Sequence, residues 1–280
     1  MVKIFIIVFF SFTLLCGCTS KFAYNNIDWL LYWYMDDYID LDKSQKRVFD
    51  KELDSWLTWH RAKELPKYKI HLQQIQGQLR DGAVSAEHWM SHFDAAGQHW
   101  YRFRDKTTAD LAAMAGQLSE RQIQALFEKL EEENVKREEE RAELSVAERA
   151  AENIEDIQDR VKYWIGRLSI GQKNIIAEKS AKFESNFEEW MIYRRNIQGR
   201  ARKLLLQQHE NVNFEAQFLT LINQPEAHQS QSFIDRSARN KLVFAGFLSQ
   251  ISEGLSAKQM KKLNKEIQAL IEDIDDLVNE

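Results

Sequence analysis

Apolar residues recur along most of this chain at spacings of three and four, separated by charged and amide side chains, and strict two-residue alternation is nearly absent. Segment 146–168 shows the rule plainly. Val146, Ala150, Ile154, Ile157, Val161, Trp164 and Leu168 form one apolar stripe on an otherwise charged helix. Helix starts carry a repeated device. In Leu118-Ser119-Glu120-Arg121-Gln122-Ile123 the serine is placed to cap, Gln122 to return the bond, and Leu118 and Ile123 to staple the entry. Leu168-Ser169-Ile170-Gly171-Gln172 and Leu255-Ser256-Ala257-Lys258-Gln259 repeat it. Leu41-Asp42-Lys43-Ser44-Gln45 uses Asp as the cap, and Val84-Ser85-Ala86-Glu87 is a looser version. From these starts the pattern predicts helices over 26–36, 43–63, 66–80, 85–104, 108–116, 119–142, 145–167, 169–209, 211–223, 228–252 and 256–278. Leu65-Pro66 is expected to break the second of the long runs from the next, because the residue before proline avoids the α region. Asp81-Gly82 and Asn223-Gln224-Pro225 read as turns. The intervals between caps are unequal, which argues against a solenoid of fixed period. The expected fold is all-α, a bundle-like array of about ten helices.

The first residues follow a different pattern. After Met1-Val2-Lys3 an almost unbroken apolar run extends from Ile4 to Leu15. As a helix it would cover about 18 Å, short of a hydrocarbon core of roughly 30 Å, and it reads as the apolar region of an export signal. Leu15-Cys16-Gly17-Cys18 then resembles the bacterial lipobox. That resemblance implies cleavage before Cys18 and acylation of Cys18 by a diacylglycerol and an amide-linked chain of the palmitate kind. About two membrane signals already anchor stably, so three acyl chains hold firmly. The alternative is ordinary secretion with a free thiol at Cys18. Thr19 is not the Asp that retains enterobacterial lipoproteins at the inner membrane, which favours the outer membrane, with the chain facing the periplasm. The expected organisation is a signal peptide over 1–17, a lipidated tether over 18–25, an aromatic-rich helical half over 26–142 and a second helical half over 143–280. The charge-dense run Glu128 to Glu143 is the expected hinge between the halves, or else a solvated helix or a partner-binding face.

Composition narrows the function classes. The chain has two cysteines, and if one leaves with the signal and the other is acylated, the mature chain has no thiol chemistry and no disulfide. The net charge is −5 over 280 residues, and removal of Lys3 with the signal makes the mature chain more acidic still. No nucleic-acid partner is expected from such a field. Two prolines, ten glycines and an abundance of Ala, Leu, Glu, Lys, Gln and Arg agree with the helical pattern.

The densest chemistry lies in Asp28-Trp29-Leu30-Leu31-Tyr32-Trp33-Tyr34-Met35-Asp36-Asp37-Tyr38-Ile39-Asp40-Leu41-Asp42. One reading is a helix that sends Trp29, Tyr32 and Trp33 into the core while Asp42 caps the next helix. The other is an acidic, aromatic ligand or partner groove built from Trp29, Trp33, Tyr34, Asp36, Asp37 and Tyr38 together with Trp56, Trp59 and His60. A carboxylate-pair enzyme site needs more, because Asp36 and Asp37 project about 100° apart on a helix. His88 and His92 stand four apart with His99 seven further on, about 10 Å along the axis, too far for one metal ion. No cofactor or metal is expected. Trp56-Leu57-Thr58-Trp59-His60-Arg61 and Trp100-Tyr101-Arg102-Phe103-Arg104 interleave aromatics with Arg, which on an acidic exported chain reads as amphipathic helix surface. No phosphate loop, nucleophile elbow or Ser-x-x-Lys motif is present.

Two resemblances add to this. Tyr24-Asn25, Asp28-Trp29-Leu30, Trp33-Tyr34, Asp36-Asp37-Tyr38 and Asp40-Leu41, followed by Trp59-His60-Arg61, Glu64-Leu65-Pro66 and Tyr68, then Leu126-Phe127 and Leu130-Glu131-Glu132-Glu133-Asn134, resemble a family of helical proteobacterial lipoproteins. The family has no assigned activity, so the resemblance implies an address and a fold and transfers no catalytic residue. The three Leu-Ser-x-x-Gln boxes are similar to the Leu-Thr-x-x-Gln motif of the Spy/CpxP periplasmic chaperones, which cradle unfolded clients. The expected function is a non-enzymatic, chaperone-like scaffold offering an aromatic surface to a protein client or partner, attached to the membrane through Cys18. The alternatives are an enzyme acting on envelope polymers through Asp36, Asp37 or His60, and a carrier whose enclosed apolar cavity holds an apolar ligand.

Overall fold

The computed structural model describes the backbone from Gly17 to Glu280 and the side chains from Lys21 onward. Residues 1–16 of the expected export signal, and the side chain of Cys18, the expected lipid acceptor, lie outside the described residues. Within them the fold is all-α, with no strand. In chain order the helices are α1 (Gly17–Asn25), α2 (Ile27–Met35), α3 (Lys43–Trp59), a π-helical turn (His60–Glu64), α4 (Leu65–Asp81), α5 (Ala86–Ala115) and α6 (Glu120–Glu143). There follow α7 (Val146–Ile165), α8 (Ile170–Ser180), α9 (Phe187–Leu206), α10 (Phe214–Asn223), a 3₁₀ turn (Pro225–His228), α11 (Gln231–Glu253) and α12 (Ala257–Asn279). No helix among them is long and apolar enough to cross a membrane.

The capping serines and Asp42 do what their spacing predicts. Asp42, Ser119, Ser169 and Ser256 each accept the N–H three residues on, and Gln45, Gln122, Gln172 and Gln259 each accept the cap's own N–H. Ser145 and Glu148 form a fifth such box. The glutamines then pair across the fold. Gln45 and Gln122 exchange amide bonds, and Gln172 and Gln259 do the same. In every case the same amide nitrogen also donates to the carbonyl two residues before the partner's cap: Gln117, Asp40, Gly254 or Arg167. Four helix starts are thus joined as two near-symmetric clasps.

Between the clasps the last helix returns to the first ones. Ile267 and Ile271 of α12 pack against Ile75, Leu79 and Val84, while Ile274 and Leu277 pack against Leu65. Leu205, Phe214 and Phe218 pack against Ala112, Leu118 and Ile123. The apolar clusters therefore draw on residues from both sides of residue 143. α7 buries Ile154, Ile157, Val161 and Trp164 against Ile176, Phe247 and Ile251, but Val146 at its first turn is 76 % exposed and outside the predicted stripe's contact.

Three helix boundaries differ from the sequence expectation. The segments 85–104 and 108–116 are one 30-residue helix, because the Thr107 and Thr108 hydroxyls bond back to carbonyls of the preceding turn and leave the ladder intact. The single helix expected over 169–209 is two, α8 and α9. The buried Asn240 of α11 accepts from the Glu184 N–H and donates to the Glu184 carbonyl, supplying from outside the bonds that the helix gives up. Leu65-Pro66 does not break the chain. Leu65 is itself helical (φ −55°, ψ −40°), and α3, the π turn and α4 form one rod.

Candidate functional site

That rod positions the densest set of titratable side chains. Pro66 cannot donate to the preceding turn and its ring crowds it. The chain widens there to one π turn, in which the Leu65 N–H reaches back to the His60 carbonyl. With this register His60, Glu64, Tyr68, His71 and Gln78 recur at spacings of four, four, three and seven on one face. His92, His99 and Arg102 of α5 face them. The resulting row runs from Tyr24 through His60, Tyr68, His99 and His71 to His92. Tyr24 Oη lies 3.0 Å from His60 Nδ1, and Tyr68 Oη lies 3.4 Å from His60 Nε2. The rings of Tyr68 and His99 meet edge to face at 4.4 Å, those of His99 and His71 stack at 5.4 Å, and those of His71 and His92 stack at 5.2 Å.

The bonding of the row assigns its protons. His92 Nε2 is 3.0 Å from Gln78 Oε1, an acceptor, so this nitrogen donates. In neutral His92 the other nitrogen, Nδ1, then accepts from His71 Nε2 at 3.1 Å. A proton added to His92 would set one N–H against another. His99 Nδ1 is 2.6 Å from the Arg102 guanidinium and can only accept. Burial pushes His60, His71 and His92 down to about 4, with neighbouring imidazoles adding to it at His71 and His92. Burial and then the Arg102 charge lower His99 as well. Under the row sits Glu64, with no exposed surface. Burial acts to raise its carboxyl, but the Arg102 Nε–H, shared between its two oxygens at 2.9 and 3.0 Å, and Lys67 Nζ at 2.6 Å outweigh this and hold it below the ordinary carboxylate range.

The site residues expected from sequence part company here. His60 joins the row and is committed to Tyr24 and Tyr68. Trp56 is buried, and its indole donates to Asp110 at 2.8 Å. Tyr38 is half-buried and donates to Glu133. Trp59 is half-buried beside an open depression of about 480 Å³ lined by Asp54, Thr58, Ala62, Lys63 and Lys106. Trp29, Trp33 and Tyr34 are exposed, as are Asp36 and Asp37. The reading that sends Trp29 and Trp33 into the core is therefore corrected. From that helix Leu31, Tyr32 and Met35 pack against Phe49, Leu53 and Trp56. Nor do the nine residues form one groove, because they divide between interior bonds and outer surface. Asp36 and Asp37 stand in solvent while His60 lies under Tyr24.

The motif residues nevertheless meet one another. Arg61 stacks over the Tyr24 ring and donates to Asn25 at 2.8 Å, and Asn25 donates to Glu280. Asn134, fully buried, bonds Glu131, Gln198 and Arg194 beside Tyr38's partner Glu133. Lys21 pairs with Asp276 and Glu280, closing α1 onto the end of α12. Sequence spacing groups His92 and His99 with His88, which is exposed and bonded to the Ser85 cap. It misses His71. The signal was present as polar residues at core-facing spacings along 60–78.

The row can exchange protons and carries neutral imidazoles at neutral pH. Among the described residues no group of three or more His, Cys, Asp or Glu side chains is arranged to hold a metal ion. No curated protein and no solved structure matches the chain. One family model does, over residues 37–234, spanning Tyr38, the π turn, the histidine row and the Glu133 contacts. By that match the chain belongs to a family of unknown function, DUF6279.

Proposed function

We propose that this protein is a lipoprotein of the bacterial cell envelope, anchored at Cys18, whose helical scaffold binds a protein partner or client without catalysing a reaction. The observation that carries the reading is the division of side chains just described. The groups with chemistry are consumed by bonds within the protein: His60 by Tyr24 and Tyr68, His71 by His92, and Glu64 and His99 by Arg102. What is offered outward is aromatic and acidic surface. Aromatic side chains with a polar edge are the usual anchors of protein interfaces, and an acidic rim tunes partner choice. The open depression beside Trp59, lined by Asp54, Lys63 and Lys106, is the proposed docking point on that surface. The lipobox-like Leu15-Cys16-Gly17-Cys18 and the short apolar run before it support the anchor, and Thr19 supports the outer membrane.

The test is a photo-cross-linking residue at position 59 of the full-length protein in intact envelopes, with position 203, on the exposed far end of α9, as the control. A defined protein cross-linked from 59 and not from 203 supports the reading. Equal labelling from both, together with no suppression of client aggregation at stoichiometric protein, would sink it.

A further inference from the structure

α2 presents a contradiction that the scaffold reading leaves open. Its sequence, Ile27-Asp28-Trp29-Leu30-Leu31-Tyr32-Trp33-Tyr34-Met35, is almost wholly apolar, yet none of its residues is buried. A helix apolar on every side is ordinarily covered on every side. Here the inner side is covered by α3, through Tyr32 and Met35, and the outer side is not. Phe22, Trp29 and Trp33 are 66, 62 and 65 % exposed.

These three share one face. Helical hydrogen bonding continues through Asn26, whose N–H reaches the Phe22 carbonyl and whose carbonyl receives the Leu30 N–H. At 100° per residue Trp29 falls about 20° to one side of Phe22 and Trp33 about 20° to the other, so the three rings lie within about 40° of arc. The same segment is fastened to the protein by Tyr24, on the side away from Phe22, to His60, and on its flank by Lys21 to Asp276 and Glu280 and by Asn25 to Glu280. The stripe therefore cannot roll inward without breaking those bonds.

We infer that this aromatic face lies along the bilayer surface, with Phe22, Trp29 and Trp33 seated at the boundary between headgroups and acyl chains. The inference deepens the anchored reading and rests on it for the side from which the membrane approaches. Phe22 is one helical turn from Cys18 within α1, so acyl chains on Cys18 would bring the bilayer to that turn. The residue types fit an interface: two indoles and a phenyl ring in place of aliphatic side chains, as in the aromatic belts of membrane proteins. The exposed Asp28, Asp36 and Asp37 beside them suit zwitterionic headgroups over anionic ones.

The test uses the full lipidated chain in vesicles of phosphatidylethanolamine and phosphatidylcholine whose acyl chains are brominated near the headgroup. The chain has eight tryptophans. Contact by Trp29 and Trp33 quenches about a quarter of the emission, and the double variant Trp29→Phe/Trp33→Phe, which keeps the aromatic face, loses that quenching. Equal fractional quenching in the parent and the double variant would overturn the inference and hand the face to a protein or to a second copy. The intact mass of the purified chain reports the anchor separately. Acylated Cys18 with no difference in quenching sinks this inference alone, whereas quenching without acylation sinks the anchor and leaves the aromatic contact standing.

Discussion

The hydroxyl of Tyr38 donates to the carboxylate of Glu133 across 95 residues of chain, and the same carboxylate lies against Arg194 and Arg137. The bond pins the loop after α2 to the middle of α6. It is also where two separate stretches of the family-like sequence pattern meet. Burial, and then the bond itself, hold the Tyr38 phenol far above its ordinary range, so it remains a donor at any physiological pH. Tyr38→Phe removes the donor but leaves Glu133 with two guanidinium partners. The expected loss is about 1 kcal/mol, read as a lowered urea midpoint at unchanged slope. Tyr34→Phe, whose hydroxyl meets only that of Tyr38 at 3.0 Å on the exposed side, should leave the midpoint nearly where it is.

The histidine row makes stability depend on pH. His60, His71 and His92 fall from an ordinary value near 6.5 to about 4 in the folded chain. Between those values the unfolded chain binds protons that the folded chain refuses, so stability is complete above about pH 6.5 and is lost as pH falls toward 4. Glu64, lowered in the fold, adds its own loss only below the ordinary carboxylate range, so the two effects separate in pH. Urea midpoints measured from pH 8 to pH 5 should fall on the acid side, and His71→Phe should flatten that fall. A flat parent profile would refute the neutral row.

Glu64 is buried without exposure, and its charge is matched mainly by Arg102 and Lys67. Arg102→Ala leaves a buried carboxylate with one half-exposed ammonium for company and should cost about 3 kcal/mol. Arg102→Ala in a Glu64→Gln background should cost much less, because no buried charge is then orphaned. The four proteins form a double-mutant cycle, and additive losses would show that the pair is not coupled.

How much of this was legible in the residues follows range along the chain. Caps, their returning glutamines and the apolar stripe of α7 are local, and they could be read directly. The clasps formed by those same glutamines could not, since nothing within the four residues of Ser169 to Gln172 says that Gln259 will be opposite. The same holds for Asn240, which ends α8 from a different helix, and for the π turn, which absorbs Pro66 without a break. At Trp29 and Trp33 the residues left core and outward surface both open, and only the core alternative fails; apolar rings report burial only once something is there to cover them.

The clasps supply a further measurement. Gln172 and Gln259 are 2 and 8 % exposed, and each amide both gives to and receives from the other. Gln259→Ala strands the Arg167 carbonyl and the Ser256 N–H and takes one partner from the Gln172 amide, and a loss of about 2 kcal/mol is expected. Replacing both by leucine removes the two amide–amide bonds only once, whereas each single alanine change already loses them, so the double loss should fall short of the sum. Gln172→Glu should be worse than Gln172→Ala, because it sets a charge at a site whose amide donors it removes.

Trp29, Trp33 and Trp56 separate surface from core within one short stretch. Trp56 is 7 % exposed and gives its indole N–H to Asp110, and Trp56→Ala should cost about 3–5 kcal/mol. Trp29→Ala and Trp33→Ala remove rings that touch little of the folded chain, so each should shift stability by no more than about 0.5 kcal/mol in detergent-free solution. Membrane contact changes that balance. If the rings sit at the bilayer interface, the same two variants should lower the melting temperature of the vesicle-bound chain relative to the parent while leaving the lipid-free form unchanged. A large loss at Trp33 in the lipid-free form would instead mean that the ring packs within the protein, and α2 would then be a core helix after all.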